Sequence, residues 1–417
     1  MKIKLHQLND AEFRNKIEPE VRETLMRFPE NSDIYSMLAV ILGFKNEFDE
    51  ALKLMDIAIG LEPTRVGPYI TKAAILLQAA KTDEAFKLLN YCRTISKRIP
   101  SVHWNHALVS LQNKLFAQGW SDYRWRKTLK LSITRVLDIP ELTREINTEG
   151  KTVLVWTEQG LGDQLMFYRF VNRLAERNIT TNYIVEVSDE IYTLLAKNNK
   201  YSNVKVVCRD KDGNLPYDYD YNISIVDLPD YLGCEKEEDH YLLQEDILVA
   251  DNSIRDGWKK HIEGMKELKI GLCWKGSKEH ANDYNRSMGL IDFEPLKDCG
   301  IFFAVQVGTD PEEVPEGLDL KFASEGLVNM EYTTALLQEL DVLITVDTSV
   351  AHLGGCIGIP TFLLLPKANE WRWANGEGSS YWYPSITMFK QKEFKDWSYP
   401  LNEVKKCLTQ FGQRIAI

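Results

Sequence analysis

Residues 341–366 read DVLITVDTSVAHLGGCIGIPTFLLLP. The run from Val342 to Val346 is β-branched at four of five positions, is too short for a helix and has polar residues around it. It therefore predicts a buried parallel strand. Asp347, Thr348 and Ser349 come next, three residue types that each cap helices. A short helix to about Cys356 should follow, stopped by Gly358 and Pro360 ahead of a second strand from Thr361 to Leu365. Such a βαβ unit aims free backbone N–H groups at the crevice beyond the strand's carboxyl end. Those donors and the helix dipole are a seat for phosphate, and His352, one turn past Thr348, lies along the same face. Alone, the stretch is equally a capped helix with a packed histidine; its surroundings give it weight.

Upstream of this stretch the chain changes character twice. Residues 1 to about 126 repeat with a period of 34: Ala39, Ala73 and Ala107 keep that spacing, as do Tyr35 with Tyr69 and Ala51 with Ala85. Small residues fall where two helices must approach, and Phe48, Ala51, Met55 and Ala58 recur at helical spacing. The period predicts stacked helix-turn-helix pairs with a concave groove suited to a peptide or a partner domain. The aromatic run GWSDYRWRKTLK reads as a plug between this array and the next domain, and residues 127–150 as a connector.

From residue 151 strands and helices alternate: TVLVW, then a glycine-bearing turn and a helix, YIVEV (183–187), a helix near 189–198, and VKVV (204–207). This is the pattern of a parallel sheet covered by helices. Residues 209–241 read as loop-rich, and 246–266 as a bridging helix to a second α/β unit. That unit has expected strands at 269–274, 301–307, about 319–322, 342–346 and 361–365. The expected domains are thus a helical array (1–126), a connector (127–150), a first α/β domain (151–265), a second α/β domain (266–397) and a terminal segment (398–417) whose helix returns across both.

With 417 residues, about three domains are expected. A net charge of −11 argues against nucleic acid as a partner, though a local positive pocket is enough for a small anion. Seven scattered cysteines without CxxC spacing read as reduced thiols, and no stretch suits a signal peptide or membrane span, so a soluble cytoplasmic protein is expected. No metal-ligand spacing, GxGxxG, Walker or GxSxG motif occurs.

Three turns should face the cleft between the two sheets. In Gln159-Gly160-Leu161-Gly162-Asp163, Asp163 is either an N-cap or a general base that deprotonates an acceptor hydroxyl. The turn 275–287 gathers Lys275, Ser277, Lys278 and Arg286 straight after a strand, a composition suited to a diphosphate. The third is Asp347-Thr348-Ser349 with His352. Lys367 and the run Glu370-Trp371-Arg372-Trp373 are placed to wall the pocket, SSYWYP (379–384) to support it, and Gln306, at a strand end, to meet a ribose.

Together TEQGLGDQLMFYRF, CWKGSKEHANDYNRSM, ITVDTSVAHLGGCIGIPTFLLLP, EWRW and SYWYPS, after repeats ending in GWSDYRWR, resemble bacterial tetratricopeptide proteins with a glycosyltransferase domain similar to the heptosyltransferases of glycosyltransferase family 9. The resemblance implies a tetratricopeptide α-solenoid followed by a GT-B fold of two Rossmann-like domains. It also implies a metal-independent, inverting transferase whose donor substrate is a nucleotide-sugar, with no further cofactor. Asp163 matches the base of the family's GD turn, Asp347, Thr348 and His352 match its phosphate stretch, and Lys275 matches its donor lysine. Tyr284 stands where relatives commonly carry an arginine. Implied partners are the nucleotide-sugar, a carbohydrate or protein acceptor, and a protein in the repeat groove. The alternative is a non-catalytic scaffold that binds a nucleotide or sugar.

Overall fold

The computed structural model describes residues 7–8, 10–129, 137–210, 214, 216–278, 280, 282–306 and 314–415. Of the stretches read above, residues 1–6, 9, 130–136, 211–213, 215, 279, 281, 307–313 and 416–417 lie outside them.

Helix α1 (Ala11–Arg27) leads into three helical hairpins: α2 (Ser32–Phe44) with α3 (Phe48–Leu61), α4 (Val66–Gln78) with α5 (Thr82–Ile95), and α6 (Pro100–Gln112) with α7 (Phe116–Tyr123). First helices begin at 32, 66 and 100, and second helices at 48, 82 and 116, so the 34-residue period of the sequence is a period of structure. Asn46, Ala80 and Lys114, one period apart, each turn the hairpin with positive φ (63°, 58° and 57°). Ala39, Ala51, Ala73, Ala85 and Ala107 are fully buried, which lets the helices approach closely.

Short helix α8 (Arg126–Leu129) ends the array. The first sheet holds β1 (Thr152–Trp156), β2 (Asn182–Val187), β3 (Val204–Cys208) and β4 (Tyr221–Ser224), all parallel in the order β3-β2-β1-β4. Helices α9 (Leu161–Arg177), α10 (Asp189–Asn198) and α11 (Leu228–Leu232) accompany it. Strand β4 and α11 correct the reading of 209–241 as loop. The four-residue strand is too short to show alternation, and it lies where the connector pairs beside it: Asn222 N–H donates to Pro140 O and Leu142 N–H to Asn222 O.

Helix α12 (Asn252–Ile262), shorter than expected, crosses to a seven-stranded sheet. Its elements are β5 (Lys269–Cys273), α13 (Asp283–Arg286), β6 (Ile301–Ala304), β7 (Leu320–Phe322), α14 (Met330–Leu337), β8 (Val342–Val346), α15 (Ser349–Ile357), β9 (Thr361–Leu365), β10 (Gly378–Ser379), β11 (Ile386–Lys390) and α16 (Ser398–Ile415). The order is β10-β11-β9-β8-β5-β6-β7, parallel except for β10. Sequence reading missed β10 and β11. The connections reverse direction between β5 and β8, and in the first sheet between β1 and β4; such switch points leave a crevice at the strands' carboxyl ends. Helix α16 does not return across both domains. Leu401, Val404 and Leu408 join Ile270, Leu272 and Phe362 in the core of the second sheet. Among the described residues, no helix is long and apolar enough to cross a membrane.

The last hairpin is fused to the α/β part. Phe116, Trp120 and Tyr123 share one core with Phe167, Trp371 and Trp382, and the Trp120 indole donates to His240 Nε2 at 2.9 Å. Arg126 is fully buried, bonded to Glu158 and to Asp227 (2.7 Å). At the other end, Phe44 stacks on Tyr284 (5.1 Å) and Asn46 donates to Asn285 (3.4 Å). The array therefore touches the second α/β domain through its first hairpin, beside the loop that carries Arg286.

Candidate functional site

Both switch points open onto one cleft of about 680 Å³. Strand β1 delivers Gln159 and the first turn of α9; β5 delivers Lys275 to Ser277; β8 delivers Asp347 and the first turn of α15. Of the residues singled out from the sequence, Asp163, Lys275, Ser277, Arg286, Gln306, Asp347, Thr348, Ser349 and His352 line this cleft, whereas Lys278 and Lys367 do not. Helices α9 and α15 pack against each other there. A Cβ on Gly162 would lie 2.7 Å from His352 Cδ2 and 3.3 Å from Ser349 Cα, so only glycine lets the two N-termini meet this closely. Gly162→Ala is expected to part them, cost about 1–3 kcal/mol in urea unfolding and weaken anion binding. Unchanged unfolding would show that the helix ends have room to spare.

Thr348 is the N-cap of α15, its hydroxyl accepting from the Val350 amide (3.3 Å). Ser349 is the first residue of that helix, whose leading amides have no partner within the helix. Gly358, with φ 73°, closes it in left-handed geometry. The Asp347 carboxylate is committed inward, accepting from the Trp373 indole at 2.8 Å, while its backbone carbonyl accepts from Arg286 Nη1 at 2.8 Å. Arg286 is thereby fixed beneath Gly276, where a Cβ would meet the guanidinium at 2.5 Å.

Three expectations change on contact with the geometry. Gln306 does not present its carbonyl to a ribose: that oxygen accepts from the Trp274 and Lys275 amides (3.1 and 2.9 Å), closing the end of β5. His352 keeps the place that helical spacing gave it and is neutral at neutral pH. Burial, opposed by Asp347 and Asp163, pushes its pKa down to about 4. It stacks on Trp373 (4.9 Å) and its Nδ1 lies 3.0 Å from the Tyr383 hydroxyl. That phenol is held in its neutral form by burial and faces the Cys356 thiol on its other side. The thiol lies nearer the Leu165 carbonyl (3.6 Å), and a phenol that donates to Nδ1 leaves the proton of the neutral imidazole on Nε2. Lys367, expected in the wall, instead pairs with Glu393 at 2.9 Å.

Asp163 is the third. It is not the N-cap of α9 but its third residue, and it reaches back to the Gly160 amide with Oδ2 (3.3 Å). Its Oδ1 accepts two bonds from Arg372, from Nε at 2.8 Å and Nη2 at 2.6 Å. Burial opposes the charge on Arg372, but Asp163 and Glu370 outweigh it and hold the guanidinium above its ordinary range. Arg372 Nη2 also donates to Gln159 Oε1 (3.2 Å), and Gln159 donates to the Tyr123 hydroxyl (3.0 Å). Gln159 adopts this place at a positive φ of 64°. Glu370 and His280 line the rim 3.9 Å apart. The sequence placed Arg372 near the pocket but not on Asp163; 209 residues separate the two, and no spacing rule reports such a pair.

Two buried histidines make stability depend on pH. Burial lowers the pKa of His240, as of His352, to about 4. Between about 4 and the ordinary 6.5, the unfolded chain then binds more protons than the folded one, so stability must fall as pH drops through that window. Each histidine is expected to contribute a slope of up to about 1.4 kcal/mol per pH unit. Urea unfolding at pH 7 and 5 measures it, and His240→Gln should flatten the slope; equal slopes in the two proteins would contradict a neutral buried imidazole.

No family model matches the chain. Protein FlbA of Caulobacter vibrioides is 23% identical over 422 aligned residues, covering 92% of this chain and 68% of that protein. Among solved structures, the glycosyl transferase family 9 protein of Veillonella parvula covers 65% of this chain and 100% of its own at 12% identity, with a TM-score of 0.49. The E. coli ADP-heptose LPS heptosyltransferase II covers 64% and 100% at 11% identity and a TM-score of 0.41. The O-GlcNAc transferase of Thermobaculum terrenum is similar along 99% of this chain and 93% of its own, at 10% identity and a TM-score of 0.32.

Proposed function

We propose that this protein is a metal-independent glycosyltransferase of GT-B architecture with an N-terminal tetratricopeptide-type array, moving a sugar from a nucleotide-sugar to a carbohydrate or protein acceptor. One observation carries the reading: the first turns of α9 and α15 meet in a single cleft with Lys275, Arg286 and Arg372 on its wall and one carboxylate, Asp163, on the opposite domain. Amides and guanidinium groups on one side suit a diphosphate, on which negative charge grows as the glycosidic bond breaks. A carboxylate facing them suits removal of a proton from the acceptor hydroxyl, with inversion at the sugar. Thr348 and Ser349 would take the diphosphate with the α15 amides, and the neutral His352 would donate from Nε2. That cleft motif is the family's as the sequence resemblance implies it, and the chemistry of the wall supports the same reading.

The test is a thermal-shift panel of ADP, UDP, GDP and CDP on the full chain, followed by donor hydrolysis with the matching nucleotide-sugars. Stabilisation by one diphosphate and slow hydrolysis of its sugar conjugates are expected; no response to any of the four would overturn the proposal. Stabilisation without hydrolysis or transfer would favour the second reading, a binding module without turnover. The observation behind that second reading is the double engagement of Asp163 Oδ1 by Arg372, which leaves the carboxylate occupied.

A further inference from the structure

The engagement of Asp163 admits a resolution that turns the obstacle into part of the site. We propose that Arg372 is a diphosphate-binding residue shared with Asp163: it rests on the carboxylate, and the anionic donor draws it away and so frees Asp163 to act. This inference rests on the glycosyltransferase reading and deepens it.

Four observations support it. Asp163 belongs to the first α/β domain and Arg372 to the second, so their ion pair spans the cleft that the ligand must enter. Both bonds fall on one carboxylate oxygen, a fork on a single acceptor rather than the matched two-oxygen pairing an arginine can make, so the geometry gives up part of the available energy. Arg372 is held from behind independently of Asp163. Its plane lies over Trp371 (4.6 Å), its backbone carbonyl accepts from the Trp382 indole (2.8 Å), and Gln159 accepts from Nη2. Released by the carboxylate, it stays at the wall. Finally, a Cβ on Gly162, next to Asp163, would lie 3.3 Å from Ser349 Cα, and Arg372 lines the same cleft as Thr348 and Ser349 at the helix end that would hold the phosphates.

The exchange makes a prediction that a merely structural ion pair does not: removing the carboxylate should improve anion binding, and only while Arg372 is present. The experiment is calorimetric titration of the tightest-binding nucleoside diphosphate from the panel into wild type, Asp163→Asn, Arg372→Gln and the double variant. Asp163→Asn is expected to bind about tenfold tighter, about 1.4 kcal/mol, and Arg372→Gln about tenfold weaker. In the double variant the gain from Asp163→Asn should vanish. Unchanged or weaker binding by a folded Asp163→Asn protein, or a gain that persists without Arg372, would overturn the exchange while leaving the transferase reading intact. Failure of wild type and all variants to bind any diphosphate would overturn both. If Asp163→Asn does not fold, the Arg372 Nε–H resonance in wild-type protein, assigned by its loss in Arg372→Lys, serves instead: a shift on addition of ADP supports the exchange, and no shift under saturating ADP refutes it.

Discussion

Asp163→Asn is expected to lower sugar transfer by about 10²–10⁴-fold, the range a positioned general base contributes, while nucleoside-diphosphate binding is kept or strengthened. The substitution preserves shape and the acceptor oxygen but removes the negative charge, so the acceptor hydroxyl would have no group to take its proton. Binding should survive because the phosphate seat is built from other parts: the first turn of α15, Lys275 and Arg286, all on the second domain. The assay pairs the donor identified by hydrolysis with acceptor candidates, and measures transfer and diphosphate affinity on the same preparations. Transfer within a factor of two of wild type would remove Asp163 from the chemistry. Loss of both transfer and binding would make it a structural residue instead.

Arg126→Met is expected to destabilise the protein by about 3–5 kcal/mol, the usual result of stripping one partner from a buried charge network. Arg126 and Glu158 are completely buried and Asp227 nearly so. The arginine joins them with bonds from Nε and both terminal nitrogens. Burial opposes its charge, but Asp227 and Glu158 outweigh that and hold it firmly protonated. Removing it leaves Glu158 bonded to Ser224 and Asp227 paired with Lys127, with the arginine's charge gone from between them. Urea unfolding followed by fluorescence reads the change, and a loss below about 1 kcal/mol would show that water or neighbouring side chains replace the arginine. The same seam bears on how the array can be studied. A cut at residue 126 would take Phe116, Trp120, Tyr123 and Arg126 out of a shared core, so aggregation is expected. A cut ahead of Pro100, keeping α6 to α8, is the sounder truncation.

Much of this molecule was legible in its sequence because local rules govern those parts. The β8-α15-β9 unit announces itself through a β-branched run, a cap and a left-handed glycine, and the hairpins through a strict 34-residue spacing. Cleft residues at strand ends were found for the same reason: topology puts them there whatever their neighbours do. What stayed hidden depends on contacts between distant segments. Strand β4 is four residues that become a strand by pairing with β1. Gln306 sits at the predicted strand end, yet its carbonyl is used up by the amides of another strand. Arg372 meets Asp163 only because two sheets, built separately, face each other. His352 was placed correctly by helical spacing, but its neutrality comes from burial, which outweighs Asp347 and Asp163, and spacing reports none of these.

The central claim is that the end of α15 receives a pyrophosphate. A crystal structure of the full chain grown with the nucleoside diphosphate that stabilises it tests this directly. The expected result is phosphate oxygens within hydrogen-bonding distance of the Ser349 amide, the Thr348 hydroxyl and Arg286. Diphosphate bound in a different pocket, or this cleft closed by the protein's own side chains while the ligand sits elsewhere, would contradict it.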